Sequence, residues 1–222
     1  MKKYTLIIGF LFIGFSIFAQ KSMLFQNPQK WDEYRYEDMQ GSPFFFKEFV
    51  KGDIHEIGGK IYRDLDVNLN GYTRNIEVRR GDEFIELEEG PYYKVEARSV
   101  NKDGDTTNTV FATTAISQFD GRFVQLVYDG EKRKLFNDFL VTISENKAET
   151  PGKTLVIKRF ARKPRYFLLE DGELRLFKLK KKNILLALGH KKEIETFAKK
   201  NKIKIDSAVG VAKVLEYLEG LD

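Results

Sequence analysis

Cysteine is absent from all 222 residues, and histidine occurs only twice, as His55 and His190. Without a thiol the chain has no disulfide framework, no cysteine nucleophile and no cysteine to carry a lipid behind a leader, so it does not read as a bacterial lipoprotein. Neither histidine has a partner at metal-ligand spacing, and His55-Glu56 lacks the second histidine four residues on that a zinc-protease helix uses. No G-x-S-x-G, S-x-x-K or P-loop pattern occurs, and so thin a histidine supply leaves a serine nucleophile without its usual base. Low-complexity tracts and internal repeats are also missing. Beyond residue 18 no apolar run approaches the roughly 20 residues of a spanning helix.

What is present begins with MKKYTLIIGFLFIGFSIFAQ, in which Lys2 and Lys3 precede an apolar run to Phe18 and a small residue, Ala19. That order is an export signal cleaved near Ala19, which predicts a periplasmic or secreted product; an uncleaved anchor is the alternative. Residues 1–19 are therefore set apart from the fold. Residues 20–40 mix Trp31, Tyr34 and Tyr36 with polar residues without a sustained period and read as an extended lead-in.

A hydrophobic content of 42%, with 14% aromatic, suits a packed domain rather than a disordered chain. Removing Lys2 and Lys3 with the leader reduces the 38 basic residues to 36, against 33 acidic. The remaining charge is unevenly placed: residues 20–150 hold 18 basic and 24 acidic side chains, whereas residues 151–222 hold 18 and 9. A basic end attracts anionic surfaces or acidic partners. In an exported protein those are an envelope protein or an anionic membrane surface, and nucleic acid is set aside.

From residue 41 to 180, short stretches rich in Val, Ile, Phe, Tyr and Thr are separated by Gly58-Gly59, Asn70-Gly71, Gly81-Asp82, Gly90-Pro91, Asp103-Gly104, Asp120-Gly121, Asp129-Gly130 and Asp171-Gly172. Gly, Asn and Asp tolerate the positive φ of tight hairpins, so the segment reads as an antiparallel β domain. In LFNDFLVTI (135–143), read as one strand, Leu135, Asn137, Phe139, Val141 and Ile143 share one face, yet the other face keeps Phe136 and Leu140. Two apolar faces predict a curved meander, a sandwich or incomplete barrel, with the second surface covered by the tail or a ligand. From 181 to 222 the period becomes helical, in three short helices over 183–189, 191–200 and from an N-cap at Asp206. Too short to form a core alone, they are expected to pack on the sheet, which makes the fold class α+β, mainly β.

Candidate chemistry is sparse, and no cofactor is implied. NKDGD (101–105) places its glycine too early for an EF-hand and reads as a hairpin tip. EFIELEEG carries Glu83, Glu86, Glu88 and Glu89; paired carboxylates serve glycosidases, but this run reads as a solvated sheet face. A carboxylate-based hydrolase is the only enzyme reading left. Basic residues cluster at Lys158, Arg159, Arg162, Lys163 and Arg165 and again at Lys178, Lys180, Lys181 and Lys182. These form either a solvated edge that discourages strand pairing, the preferred reading, or an anionic docking patch.

The order Gly41-Ser42-Pro43-Phe44, then Phe49, Gly52, a hairpin, Asn68-Leu69-Asn70-Gly71-Tyr72 and Ile76-Glu77 resembles a family of exported Bacteroidota proteins of uncharacterised activity. Its members pair G-S-P-Y near the mature start with L-R-Y-N-x-Y and a later M-E-F or I-E-F, and end in a lysine-rich helical tail like KKNILLALGHKKEIETFAKKNKIKID. This chain departs with Phe44 in place of tyrosine and Val67-Asn68-Leu69-Asn70 in place of R-Y-N. The resemblance implies an exported β-rich protein without assigned catalytic residues.

GSPFFFKEF raises a packing question, because in an extended strand Phe44 and Phe46 would face away from Phe45. The preferred reading has the phenylalanines closing one end of the core, with an exposed aromatic contact site as the alternative. The functional expectation is a binding module whose second apolar surface, with Phe44, Phe45, Phe46, Val124, Leu126 and Leu140 as contacts, holds a lipid or an envelope partner. The alternative is an interaction protein that docks through its basic end.

Overall fold

A computed structural model describes residues 24, 28–30, 32, 35–87, 90–101, 103–150 and 153–221. The leader read over residues 1–19 lies outside them, as do Glu88 and Glu89. The strands are β1 (Gln29–Lys30), β2 (Met39–Gln40), β3 (Val50–Glu56), β4 (Ile61–Leu69), β5 (Ile76–Arg80), β6 (Glu83–Glu86) and β7 (Tyr92–Val100). They continue with β8 (Thr106–Ala112), β9 (Val124–Asp129), β10 (Arg133–Asp138), β11 (Val141–Thr150), β12 (Lys153–Arg162), β13 (Arg165–Glu170) and β14 (Glu173–Leu176). A 3-10 turn spans Ser117–Phe119, and the helices are α1 (Lys181–Leu188), α2 (Lys191–Lys200) and α3 (Ala208–Glu219).

Eleven strands form one open sheet in the order β1-β6-β5-β4-β3-β7-β8-β9-β10-β13-β14, and β11-β12-β2 form a second. All pairs are antiparallel except β2 with β12. The fold is thus α+β and mainly β, antiparallel and unclosed, with helices at the C-terminal end. The turn dipeptides fall where the chain reverses. At the β7–β8 tip, Asn101 Oδ1 accepts the amides of Asp103 (2.9 Å) and Asp105 (2.8 Å), which makes NKDGD a self-bonded turn.

LFNDFLVTI is not one strand. The chain leaves the large sheet after Asp138, crosses at Phe139-Leu140 and enters the small sheet as β11. The crossing is pinned by Val141 donating to the Gly71 carbonyl at 2.9 Å and Lys163 to that of Leu140 at 2.7 Å. Alternating apolar residues cannot report such a switch, because each half keeps its own period of two.

Three apolar clusters result. The first joins Val67, Val95, Ala97 and Phe111 of the large sheet to Val141 and Phe160 of the small one. The second packs Leu135 and Leu168 against Ile184, Leu188, Ile194, Val211 and Leu215 of the helices. The third gathers Phe119, Val124, Phe136 and Phe167. Neighbours on β10 and β13 enter different clusters, Leu135 and Leu168 one, Phe136 and Phe167 the other. Both faces of these strands are therefore covered by the chain itself. A bulge on β9 keeps the alternation in step: Leu135 pairs with Tyr128 and Phe136 with Leu126, leaving Val127 extra.

α2 matches its expected span, and α1 starts two residues earlier than expected. The N-cap of α3 is Ser207 rather than Asp206, its hydroxyl accepting the Gly210 amide at 3.1 Å.

Candidate functional site

Residues 43–46 and 68–77 meet in one largely buried knot. Phe44 bridges Asn70, Phe45 donates its amide to the Leu69 carbonyl (2.9 Å), and Gly71 donates to the Pro43 carbonyl (2.9 Å). Asn68 closes the next step: Oδ1 accepts the Phe46 amide (3.1 Å), and Nδ2 donates to the carbonyls of Phe46 (3.1 Å) and Glu48 (3.2 Å). Glu77, fully buried, accepts from Asn70 Nδ2 at 2.7 Å and from the Arg35 guanidinium at 2.5 Å. Arg35 also lies over the rings of Tyr36, Phe44 and Phe84. Burial pushes the Glu77 carboxyl above its ordinary range, opposed by the hydrogen bonds from Asn70 and Arg35. With both oxygens held, Glu77 fastens the lead-in to β5. Sequence reasoning passed over it, although a glutamate between Ile76 and Val78 in an apolar strand is the signal of a buried, paired charge.

The phenylalanines divide differently from an extended strand. Residues 45–48 bend, so Phe45 and Phe46 enter the first cluster together, while Phe44 sits against Phe49 with ring centroids 5.5 Å apart. Phe45 stands edge-on to Phe111 (5.2 Å) and Phe139 (5.1 Å). Val124 and Leu126 belong to the third cluster, and half-buried Leu140 lies at the crossing. The six contact residues therefore do not form one surface.

The basic candidates separate into two groups. On β12 and β13 the arginines have internal partners: Arg159 bonds Gln40 Oε1 (2.8 Å), Arg162 bonds the Phe44 carbonyl (2.7 Å), and Arg165 bonds Asp138 (2.5 Å). Asp138, almost completely buried, also takes Arg74 at 2.5 Å. Lys158 and Lys163 are exposed beside them. Arg159 and Arg165 thus tie strands within their own sheets, and Arg162 ties β12 to the Phe44 segment.

The second group is different. Between residues 178 and 204 stand ten lysines and two glutamates, and all ten lysines, Lys178, Lys180, Lys181 and Lys182 among them, are exposed. Among the described residues only Lys181 of the ten is held in an ion pair, to Glu195 at 2.9 Å, and that lysine holds the Glu195 carboxyl below its usual range. On one side of this bridge a cleft of about 580 Å³ is lined by Lys181, Lys182, Leu185, Leu186, Lys191 and Glu195. On the other a cleft of about 550 Å³ runs past Lys199, Lys202 and Lys204. Leu186 is 82% exposed at the first. Lysines crowd the first turns of α1 and α2, where the helix dipole opposes them, so helix stability does not account for their position.

Of the remaining candidates, His55 lies 3.1 Å from Glu96, and His190 forms the left-handed junction between α1 and α2. Glu86 faces Glu77 across β5 and β6 and accepts from Asn75 at 2.7 Å, whereas Glu83 pairs with Arg80 at 2.8 Å. No group of three metal-ligating side chains occurs among the described residues, and none of their helices is long and apolar enough to cross a membrane. Comparison with family models, with curated proteins and with solved structures finds no match to this chain.

Proposed function

We propose that this is an exported, non-catalytic envelope protein whose β body presents a basic helical end for docking on an anionic surface. The observation that carries the reading is the lysine set of residues 178–204, exposed and almost wholly without internal partners, in contrast to the arginines of β12 and β13. Surface charges that do not stabilise their own fold remain available to a partner, and lysine retains hydration and reach suited to a diffuse anionic field. The hydrophobic-ligand reading has less support, since Phe45 and the Val124–Leu126 pair are packed in separate interior clusters.

The test is the partition of the protein between soluble and envelope fractions of the producing cell as salt is raised. Attachment should weaken from low to physiological ionic strength and fail in a Lys182→Glu/Lys191→Glu/Lys199→Glu variant of unchanged melting temperature. Attachment indifferent to both salt and charge reversal would sink the reading.

A further inference from the structure

Resting on that docking reading, we infer that the anionic surface is a phospholipid membrane, with the cleft between α1 and α2 taking a lipid phosphate and Leu186 entering the bilayer interface beside it. The cleft joins two features that a protein partner does not require together. Lys181, Lys182 and Lys191 stand around it, while Leu185 and Leu186 supply apolar side chains at the same place. Leu186 is 82% exposed, four residues after Lys182 on the same face of α1, while Ile184, Leu185 and Leu188 are buried. A large apolar side chain standing out from a lysine field suits the headgroup boundary, where charge meets phosphate and the hydrocarbon passes below it. Glu195 is tied to Lys181 at the cleft edge, so phosphate oxygens are drawn toward Lys182 and Lys191 instead.

The experiment uses the protein as purified from the cell, its intact mass recorded first so that leader-bearing chains are excluded. It is sedimented with phosphatidylcholine vesicles, with and without an equal share of phosphatidylglycerol. Binding is expected only to the anionic vesicles, and Lys182→Gln or Lys191→Gln should each weaken it about five-fold. Leu186→Ser should weaken it about ten-fold with the melting temperature held, since the side chain touches little of the fold. A Leu186→Trp variant should shift its emission to the blue on anionic vesicles and not on addition of inorganic phosphate.

Vesicle binding that ignores Leu186→Ser, with no emission shift, overturns the insertion while leaving charge-driven docking intact. Absence of vesicle binding by a protein that still partitions to the envelope in a salt-dependent way overturns the lipid assignment and points to an acidic protein partner. Loss of both overturns the docking reading itself.

Discussion

Asn70 Nδ2 lies 2.7 Å from Glu77 Oε1, and both side chains are essentially inaccessible to solvent. Through this pair the β4–β5 turn holds a carboxylate that the lead-in must neutralise with Arg35. Truncation of Glu77 to alanine should cost about 2–3 kcal/mol, because Arg35 and Asn70 lose this buried acceptor, although Asn70 keeps the Tyr36 hydroxyl and Arg35 is partly exposed. Chemical denaturation would measure this, and a loss below about 1 kcal/mol would show that the knot is not closed in solution.

The same carboxyl predicts a pH dependence. Burial raises its pKa above the unfolded value, so its contribution to stability is complete below the unfolded pKa and declines as pH rises through the folded one. Glu77→Gln keeps the shape of the protonated form and does not titrate. The stability of the native protein relative to Glu77→Gln should therefore fall as pH is raised from the ordinary carboxyl range through the elevated folded value. A difference that grows in favour of the native protein over that window would contradict the direction of the shift.

Gly71 is the closest approach between the aromatic stretch, β4 and the crossing into the small sheet. A Cβ there would meet the Phe139 ring and Val141 at 2.7 Å, while the backbone bonds both the Pro43 carbonyl and the Val141 amide. Gly71→Ala should destabilise by about 1–3 kcal/mol through overpacking. Adding Phe139→Leu should recover part of that loss, and a strictly additive pair of losses in thermal melts would argue against the contact.

How much of this was legible depended on whether the signal was local. Turn dipeptides, the helical period after residue 180 and the mainly β class all rest on neighbouring residues, and the structure bears them out. The split of LFNDFLVTI did not show, because a change of sheet at Phe139-Leu140 preserves alternation on both sides. The basic runs looked alike in sequence, yet Arg159, Arg162 and Arg165 have internal partners up to 119 residues away, whereas the tail lysines have almost none. What separates them is long-range pairing, which composition cannot report. Among the buried polar residues, Glu77 and Asp138 left a weak trace as polar side chains within mainly apolar strand stretches, whereas Asn70 showed only as part of a turn dipeptide.

Asp138 should behave asymmetrically with its two arginines. It is buried and receives both, whereas the Arg165 side chain is 40% exposed and can return to water. Asp138→Ala leaves two guanidinium groups crowded without a counterion and should cost about 3 kcal/mol or more, against about 1 kcal/mol for Arg165→Ala. Denaturant midpoints for the two variants would decide the order. Equal losses would mean that the arginines do not converge on Asp138 in solution.

Beyond the apolar packing of the second cluster, one side chain fastens the helical end to the β9–β10 turn, and its removal should be felt locally. Glu219, near the end of α3, accepts the amides of Glu131 (3.3 Å), Lys132 (3.1 Å) and Arg133 (3.1 Å) at the β9–β10 turn. A Cβ on Gly130 would meet that carboxylate, the movable end of a side chain, so a larger residue there would displace Glu219 from the turn. Burial pushes Glu219 up, but the turn amides and the Tyr128 hydroxyl outweigh it and hold the carboxyl below its usual range. Burial first, then Glu219, push the Tyr128 phenol up to about 12. The contribution of Glu219 is therefore present above its unfolded pKa and lost as pH falls through the depressed folded value. Glu219→Gln keeps the length of the side chain but weakens the acceptor, and should speed hydrogen exchange of those three amides about five-fold at neutral pH. The effect should vanish in acid, where the native carboxyl is protonated too. Exchange that is unchanged at neutral pH would mean that α3 is held by its apolar face alone, through Val211, Leu215 and Leu218.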